Sequence, residues 1–402
     1  MKNIWLICKY ATSEKYSFNT RHFSLSNEWV KNGYDVTIIS SNKHHLVNKS
    51  YPNYKGGHLI EKIDGIRVCW LKIINYKYAF SIKRIISWLQ FEIKVFLISK
   101  NKFPKPNIII VSSLSLFSIL SGVYYSKKYN AKFILEIRDI WPLVLIEIKK
   151  YSKKNIFVMF LRSIEKFGYK NSDLVVGTMP NLREHLAQSI NPIPDCITIT
   201  QGIRKNYSDF FVKLDDNYVK KHIPKNKFIF AYTGAINRNN PIDIFLDLAC
   251  KLSTHQNLHF LILGNGDRKD ELIKKYSHQI NISFPPYLNK KYINDFLSYS
   301  SVCIDSLIPG IGKYGISRNK WIDYMIAAKP IICYYEGYQS IINEANCGEF
   351  VKFGDETALE KTILKFIEMK EEEISKIGKR GKKYILEHST FDKLALKYQH
   401  YF

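Results

Sequence analysis

The stretch Tyr314-Gly-Ile-Ser-Arg-Asn-Lys-Trp-Ile-Asp-Tyr-Met-Ile-Ala-Ala-Lys-Pro330, followed by Ile331-Ile-Cys-Tyr-Tyr335, predicts a loop, a helix and a strand in succession. Gly315 and Ser317 suit a loop, and residues 319–328 are good helix formers. Lys329-Pro330 then stops the helix before an apolar run. This order is typical of one repeating unit of a parallel α/β sheet.

The polar residues of this unit lie at the start of its helix. Backbone N–H groups there have no partner within the helix, so an anion such as a phosphate can bind near Ser317, Asn319 and Lys320. Asp323 follows one turn later and can accept hydrogen bonds from ribose hydroxyls. An ordinary capped helix packed on a strand fits the same pattern, and the spacing alone leaves both readings open.

Apolar strand-like runs alternate with helical patterns along the chain, which predicts parallel sheets covered on both faces. After a polar, lysine-rich segment the alternation starts again. We therefore expect an α/β protein with an N-terminal domain 1–204, a linker 205–226, a C-terminal domain 227–385 and a last segment 386–402. The predicted strands are 3–8, 35–40, 66–71, 108–111, 132–136, 174–177 and 197–200, then 228–232, 259–263, 280–284, 302–305, 331–335 and 349–351.

The charge indicates an anionic partner, since 60 Lys and Arg oppose 36 Asp and Glu for a net charge of +24. Nucleic acid is not expected, because no helix-turn-helix, zinc finger or stacking motif accompanies the charge. Between Lys77 and Lys105, basic residues interleave with apolar ones at helical spacing. This pattern predicts an amphipathic helix that lies on an anionic membrane surface, with Trp88 near the headgroups. A core-facing helix with a solvated basic face is the alternative.

The sequence also bears on location and metals. Its seven cysteines are scattered and form no Cys-x-x-Cys pair, which indicates reduced thiols in a cytoplasmic protein. No signal peptide or apolar run of about 20 residues is present. No compact Asp-x-Asp or histidine cluster suggests a metal site, so we expect no metal cofactor.

Glycines and polar residues follow several predicted strands, where ligands bind in parallel sheets. After strand 228–232 comes Thr233-Gly-Ala-Ile-Asn-Arg238, in which Gly234 allows close approach and Arg238 can clamp a diphosphate; Asn237 belongs to the same turn. The turn at Gly264-Asn265 is a weaker signal, because a simple turn also explains it. Tyr287 and Leu288 follow Pro-Pro, where backbone can contact a nucleobase or merely stiffen a loop.

Motifs spread over almost the whole chain are similar to those of one family. They are Arg21-His-Phe-Ser, Glu136-Ile-Arg-Asp-Ile-Trp-Pro142, Ser172-Asp-Leu-Val-Val176, Gln201-Gly-Ile203, Leu263-Gly-Asn-Gly266 and Ser317-x-Asn-Lys-x-x-Asp-Tyr-Met325. In this order they resemble the GT-B-fold, retaining family-4 glycosyltransferases, in the bacterial branch that builds O-antigen, capsule and exopolysaccharide. The resemblance implies two Rossmann-like domains facing a central cleft, for acceptor and sugar nucleotide respectively. It also implies that helix 386–402 crosses back to the first domain.

The resemblance implies roles for individual residues of the donor site. Arg238 matches the arginine on the donor diphosphate, and Gly234 the glycine beside it. Asp323 matches the second acid of the family's Glu-x7-Glu motif, which holds the ribose. Gly315 stands where the first acid is expected, so Ser317, Asn319 and Lys320 are expected to contact the donor sugar and phosphate instead.

On the acceptor side, Arg138-Asp139 stands in place of the family's His-Asp pair. Asp139 is expected to orient or deprotonate the acceptor hydroxyl, Arg138 to contact the acceptor diphosphate or donor sugar, and Arg21 and His22 to contact the acceptor. The implied reaction is metal-independent transfer with retention from a nucleotide sugar, preferably UDP-linked, with N-acetylated amino and deoxy sugars among the candidates.

The implied acceptor is a polyprenyl diphosphate-linked saccharide, which places the protein at the inner face of the cytoplasmic membrane. Two alternatives stay open. A nucleotide-sugar 2-epimerase shares the architecture, and a non-enzymatic membrane- or nucleic-acid-binding protein would explain the charge.

Overall fold

The computed structural model describes residues 1–13, 15–16, 21–43, 54–76, 81–98, 102–113, 115–310 and 312–402. Residues 77–80 and 99–101 of the predicted amphipathic stretch lie outside this description. The chain divides into two compact units: Met1–Thr200 with Phe391–Phe402, and Gln201–Thr390. Residues 205–226 belong to the second unit, where they contain a 3-10 helix, Tyr207–Phe210, and an α-helix.

The first unit is built on an eight-stranded sheet whose strand order is β3-β4-β2-β1-β5-β6-β7-β8. All neighbours pair in parallel except β3 and β4, which form an antiparallel hairpin. The strands are β1 (Asn3–Ile7), β2 (Asp35–Ser41), β3 (His58–Ile63), β4 (Ile66–Leu71), β5 (Ile108–Ser112), β6 (Lys132–Ile137), β7 (Leu174–Gly177) and β8 (Cys196–Thr198).

Strand β3 departs from the predicted all-parallel sheet. It is an edge strand with mostly half-buried residues, including Glu61 and the exposed Lys62, so it lacks the apolar run that marks the other strands. Asp64 and Gly65 join it to β4 with φ of 49° and 82°, the left-handed conformation of a tight hairpin turn.

The first unit's helices cover both faces of its sheet. Its strand order and the right-handed rule for parallel crossovers place α1 on one face and α2, α3 and α5 on the other. The last helix packs against α1 through the rings of Trp29 and Tyr398, whose centroids are 5.4 Å apart. The helices are α1 (Arg21–Lys31), α2 (Ile82–Leu97), α3 (Ser118–Tyr129), α4 (Leu143–Glu147), α5 (Ile156–Asn171), α6 (Leu182–Ser189) and α15 (Phe391–Gln399).

Helix α2 differs from the predicted membrane helix in one respect. Trp88, expected near the headgroups, is only 4% exposed, because its indole N–H donates to the Tyr10 hydroxyl (2.7 Å) and its ring packs against Trp141. The exposed side of the helix is nevertheless apolar and carries Ile82, Ile86, Leu89, Ile93, Phe96 and Leu97. Among the described residues, no helix is long and apolar enough to cross a membrane.

The second unit has a six-stranded, all-parallel sheet with the order β11-β10-β9-β12-β13-β14. The chain reverses direction across the sheet at β9, so the carboxyl ends of β9 and β12 border a topological switch point. The strands are β9 (Phe228–Ala235), β10 (Leu258–Asn265), β11 (Ile282–Ser283), β12 (Val302–Ser306), β13 (Ile331–Tyr334) and β14 (Gly348–Val351).

The helices of the second unit pack around this sheet over two apolar clusters. Strands β9 and β10 run further than predicted, because residues 233–235 stay paired with Leu263–Asn265. Thr233 and Gly234 are therefore strand residues rather than turn residues. The helices are α7 (Asp216–His222), α8 (Asp243–Lys251), α9 (Lys269–Tyr276), α10 (Ile293–Ser298), α11 (Asn319–Ile326), α12 (Ile341–Glu344), α13 (Glu356–Glu368) and α14 (Glu371–His388).

Candidate functional site

A cavity of about 550 Å³ opens at the carboxyl edge of the second sheet. It lies beside the ends of β9 and β10 and the start of α11. Its lining includes eight of the residues predicted for the site. They are Gly234, Gly264, Asn265, Tyr287, Leu288, Asn319, Lys320 and Asp323, joined by Thr233, Ala235, Asn240, Leu263, Lys290, Ile293 and Arg318.

Two glycines shape the floor of this cavity. Gly234 has a φ of 143°, and a Cβ there would stand 2.9 Å from the Lys320 Nζ atom. A Cβ on Gly264 would lie 1.9 Å from the Gly234 carbonyl oxygen, so a side chain there would force the strand ends apart. Because both residues lack a Cβ, the strands stay paired and the lysine can lie against the backbone.

A buried carboxylate organises the cationic side of the cavity. Asp305, at the end of β12, is 0% exposed. It accepts a hydrogen bond from Lys320 Nζ (3.1 Å), and Arg318 Nη1 lies 2.8 Å from its Oδ2 atom. Trp321 Nε1 donates to the same Oδ2 atom (2.8 Å). Asp305 therefore holds both cations at the cavity wall while its own oxygens are occupied by protein donors.

Arg318 and Asp305 were absent from the predicted site. Arg318 also donates to the Asn240 side chain and to the Ser306 carbonyl oxygen (3.2 Å), which fixes the plane of its guanidinium. A signal for Asp305 exists in the sequence: it is an ionisable residue in the apolar strand Val302–Ser306, and such a residue needs a charged or hydrogen-bonded partner.

Lys320 is an unusual lysine because it is nearly buried, with 10% of its side chain exposed. Its pKa is lowered to about 7, chiefly because burial disfavours the charged form; the negative charge of Asp305 opposes this lowering, and the positive charge of Arg318 adds to it. Its ammonium nitrogen also lies 4.0 Å from the centre of the Tyr232 ring. Lys320 is therefore poised to gain a proton near neutral pH when an anion enters the cavity.

Asp323 lies in the cavity, and its carboxylate forms an ion pair with Lys290. The Asp323 side chain is 19% exposed, whereas that of Lys290 is 42% exposed. Lys290, which the sequence prediction did not include, is therefore the more exposed partner of this ion pair.

Three predicted donor-site residues do not line this cavity. Arg238 is exposed on the loop that follows β9. Asn237 instead stabilises that loop, since its side-chain oxygen accepts from the Asn239 backbone N–H (3.0 Å). The Ser317 hydroxyl accepts from the backbone N–H of Gln201 (2.8 Å). Roles for these residues in ligand binding stay predictions.

In the first unit, Arg21 and His22 are buried, with 2% and 4% exposure, against Glu136 at the end of β6. Arg21 Nε and His22 Nε2 lie 3.1 and 2.8 Å from the Glu136 carboxylate, and the Tyr398 hydroxyl donates to it at 2.9 Å. These partners stabilise the buried carboxylate, and a contact of Arg21 and His22 with an acceptor stays a prediction. The cluster ties α1, β6 and α15 together.

The charges in this cluster shift the pKa values of its members. Burial alone would raise the pKa of Glu136, but the positive charges of Arg21 and His22 hold it well below its usual range. Burial would lower the pKa of His22, yet the adjacent Cys8 and Glu136 raise it to about 9. The Cys8 sulfur lies 3.6 Å from His22 Nδ1. The histidine is therefore a cation at neutral pH.

Arg138 and Asp139 follow β6 at the carboxyl edge of the first sheet. The Arg138 Nε atom is buried and has no hydrogen-bond partner among the described residues. Asp139 is exposed to solvent. Protein packed around its carboxyl group removes water from it, which disfavours the charged form and raises its pKa. The positive charges of Arg138 and Arg84 lower that pKa in part. Within the described part of the chain, this pair combines a guanidinium nitrogen that lacks a partner with an exposed carboxyl group.

The sequence and the fold of this chain are both similar to those of known glycosyltransferases. Residues 215–384, which lie within the second unit, match the family model described as "Glycosyl transferases group 1". The chain is also similar to the probable glycosyltransferase WbjE of Pseudomonas aeruginosa, with 22% identity over 253 residues. That alignment covers 61% of this chain and 62% of the relative, under two thirds of its length.

Similar solved structures extend over the whole chain. Sucrose-phosphate synthase from Thermosynechococcus elongatus has a TM-score of 0.73 at 16% identity and covers 100% of this chain and 98% of its own. Anabaena HepE in complex with UDP and glucose has a TM-score of 0.66 at 10% identity, covering 100% and 99%. The predicted fold of two Rossmann-like sheets, as in GT-B glycosyltransferases, is confirmed.

We expect Asp305→Asn to destabilise the protein by about 3 kcal/mol or more at pH 7, because it leaves Arg318 and Lys320 buried without a counter-charge. Urea unfolding of the two variants measures the change. Asp267→Asn, an exposed carboxylate beside the same sheet edge, is the matched control and should shift stability by less than about 0.5 kcal/mol. Equal midpoints for Asp305→Asn and the wild type would contradict the role given to Asp305.

Proposed function

We propose that the protein is a retaining glycosyltransferase that moves a sugar from a UDP-linked nucleotide sugar to a polyprenyl diphosphate-linked saccharide in surface polysaccharide biosynthesis. The observation that carries the proposal is the cavity in which Asp305 holds Arg318 and Lys320 beside a glycine floor. Two fixed cations next to backbone without side chains suit a diphosphate group.

In this proposal the donor diphosphate binds between Arg318, Lys320 and the first turn of α11. The backbone N–H groups of that turn have no partner within the helix, and its dipole favours an anion. When the bond from the sugar to the diphosphate breaks, negative charge grows on the leaving phosphate. Arg318 and Lys320 stabilise that charge without reorganising, because Asp305 already holds them in place.

The nucleoside end of the donor is assigned to the opposite side of the cavity. Asp323 accepts hydrogen bonds from the ribose hydroxyls once Lys290 gives way, and the base lies near Tyr287 and Leu288. Support for UDP comes from similar solved structures. HepE is in complex with UDP, and another similar structure, from Escherichia coli with a TM-score of 0.69 at 11% identity, is bound with UDP-2-fluoro glucose.

The acceptor is assigned to the first unit. The unsatisfied Arg138 Nε atom suits an acceptor phosphate, and Asp139 orients or deprotonates the attacking hydroxyl. A lipid-linked acceptor lies in a membrane, and the exposed apolar side of α2 with Lys83 and Lys94 suits an anionic bilayer surface. We therefore propose peripheral association with the inner face of the cytoplasmic membrane. Metal independence stays an expectation, testable by adding a chelator.

We expect Asp323→Ala and Arg318→Gln each to weaken UDP binding at least about tenfold, since each removes a charged hydrogen bond to the ligand. Isothermal titration calorimetry with UDP measures the loss. Arg238→Ala belongs in the same series, because a comparable loss would show that the exposed arginine turns toward the diphosphate on binding. Undiminished affinity in both Asp323→Ala and Arg318→Gln, with Asp267→Asn as control, would overturn the donor-site assignment.

Proton uptake is the second expected property of donor binding. Lys320 has a pKa of about 7, so at pH 8 it is largely neutral, and a bound diphosphate raises that pKa and draws a proton onto it. The titratable and charged groups near the Lys320 ammonium are Asp305, Arg318, Tyr232 and Cys333.

Calorimetry at pH 8 in buffers of different ionisation enthalpy measures the number of protons taken up. We expect uptake approaching one proton in the wild type and almost none in Lys320→Met. We also expect UDP affinity to fall as pH rises above about 7 in the wild type only. Buffer-independent enthalpies in the wild type would exclude Lys320 as the titrating group.

The reaction itself separates the competing functions. With a sugar nucleotide and a polyprenyl diphosphate-linked acceptor, we expect acceptor-dependent release of UDP, which Asp139→Asn lowers about a hundredfold in kcat with little change in UDP affinity. Conversion of the sugar nucleotide without acceptor would indicate a 2-epimerase. Salt-dependent DNA binding without sugar-nucleotide binding would indicate the non-enzymatic alternative. Thermal shift with a panel of sugar nucleotides identifies the donor.

A further inference from the structure

The large apolar side chains exposed on the first unit concentrate on one helical layer. Besides the six on α2, the same layer exposes Leu120 and Tyr124 of α3 at 37% and 43%. Helix α5 contributes a second stripe at helical spacing: Ile156 is 85% exposed, Met159 55%, Phe160 52% and Phe167 40%. Single exposed apolar residues are common on protein surfaces, but stripes on neighbouring helices mark an interaction surface.

The stripes form one continuous face, because α3 contacts both α2 and α5. Phe96 of α2 lies edge-on to Tyr124 of α3, with ring centroids 5.4 Å apart. On the other side, Phe117, next to the start of α3, lies 6.2 Å from Phe160 of α5. We call the exposed apolar side of α2, α3 and α5 the three-helix face.

The exposed charged side chains within the three helices share a single sign. The acidic residues within α2 and α5 are Glu92 and Glu165, both buried, and α3 contains none. The exposed charged side chains on or just before these helices are all basic. They are Lys83, Lys127, Lys128, Lys153, Lys154, Arg162, Lys166 and Lys170. Exposed apolar stripes bordered by lysines are complementary to a partner whose interior is apolar and whose outermost groups are negatively charged.

We propose that α5 is a second membrane anchor, and that the whole three-helix face docks on an anionic lipid bilayer. This inference rests on the proposed function, which requires a lipid-linked acceptor but assigns the membrane to α2 alone. Since no described helix can span a bilayer, docking places Ile156, Met159 and Phe160 in the interfacial region and leaves the basic residues at the headgroups. Anchoring through both α2 and α5, which are joined by α3, also fixes the rotation of the unit on the membrane.

Vesicle co-sedimentation of the purified full chain tests the proposal. The variant Ile156→Ser/Met159→Ser/Phe160→Ser removes the α5 stripe, and Val212→Ser/Ile280→Ser/Tyr338→Ser is a matched control of exposed residues on the second unit. We expect the wild type and the control to bind phosphatidylglycerol-containing vesicles and to bind pure phosphatidylcholine weakly. The α5 variant should lose at least about tenfold in affinity.

Further outcomes decide against the proposal. Undiminished vesicle binding by the α5 variant would show that α2 alone anchors the protein. Failure of the wild type to bind vesicles of either composition would assign the face to a protein partner or a second copy. UDP binding, measured on the same samples, should be unchanged in the α5 variant. Its circular dichroism spectrum and urea-unfolding transition should also match those of the wild type, which shows that the first unit is folded. Loss of vesicle binding with UDP binding intact supports the anchor, whereas absence of UDP binding in the wild type would overturn the proposed function instead.

Discussion

The ion cluster around Asp305 is the constraint on which the candidate site depends. A carboxylate with 0% exposure sits at the end of a strand and holds two cations from the start of the next helix. Bringing two cations together at a nearly buried site is unfavourable unless a counter-charge is already present. Asp305 supplies that charge from inside the sheet and so keeps both cations at the cavity wall.

The first unit uses a buried carboxylate at the equivalent edge of its sheet with a different result. Glu136, like Asp305, ends a parallel strand and holds two neighbouring basic residues. Arg21, however, also donates to the Ile199 carbonyl oxygen (2.9 Å), and Tyr398 closes the cluster from the last helix. The protein's own groups satisfy these cations, so the cluster joins distant parts of the chain. Among the described residues, the neighbouring Arg138 keeps a buried Nε atom without a hydrogen-bond partner.

Sequence reasoning located most strands because buried parallel strands are nearly continuous apolar runs, and β4 and β7 have the predicted bounds. It missed β3, whose edge position leaves it half-buried and polar. In the site, the glycine and helix-start signals are local, so Gly234, Gly264 and Lys320 were predicted to lie in the site and do line the cavity. Pairing is not local: Lys290 with Asp323, and Arg318 with Asp305, depend on segments brought together only by folding. The burial of Arg21 and Trp88 was missed for the same reason. Arg21 is buried against Glu136 and Trp88 against Tyr10, and both partners are distant in the sequence.

The net charge of +24 is easier to understand once its distribution is known. Cations at the cavity are few, nearly buried and held by an acid, which suits one small ligand bound in a defined orientation. Cations around the three-helix face are exposed and lack acidic neighbours on those helices, which suits a broad, diffuse negative surface whose attraction weakens with salt. The two arrangements have different physical requirements: orientation needs burial and pairing, whereas surface attraction needs number and exposure. A single total charge therefore combines two different arrangements of cations, and only the spatial distribution of acids tells them apart.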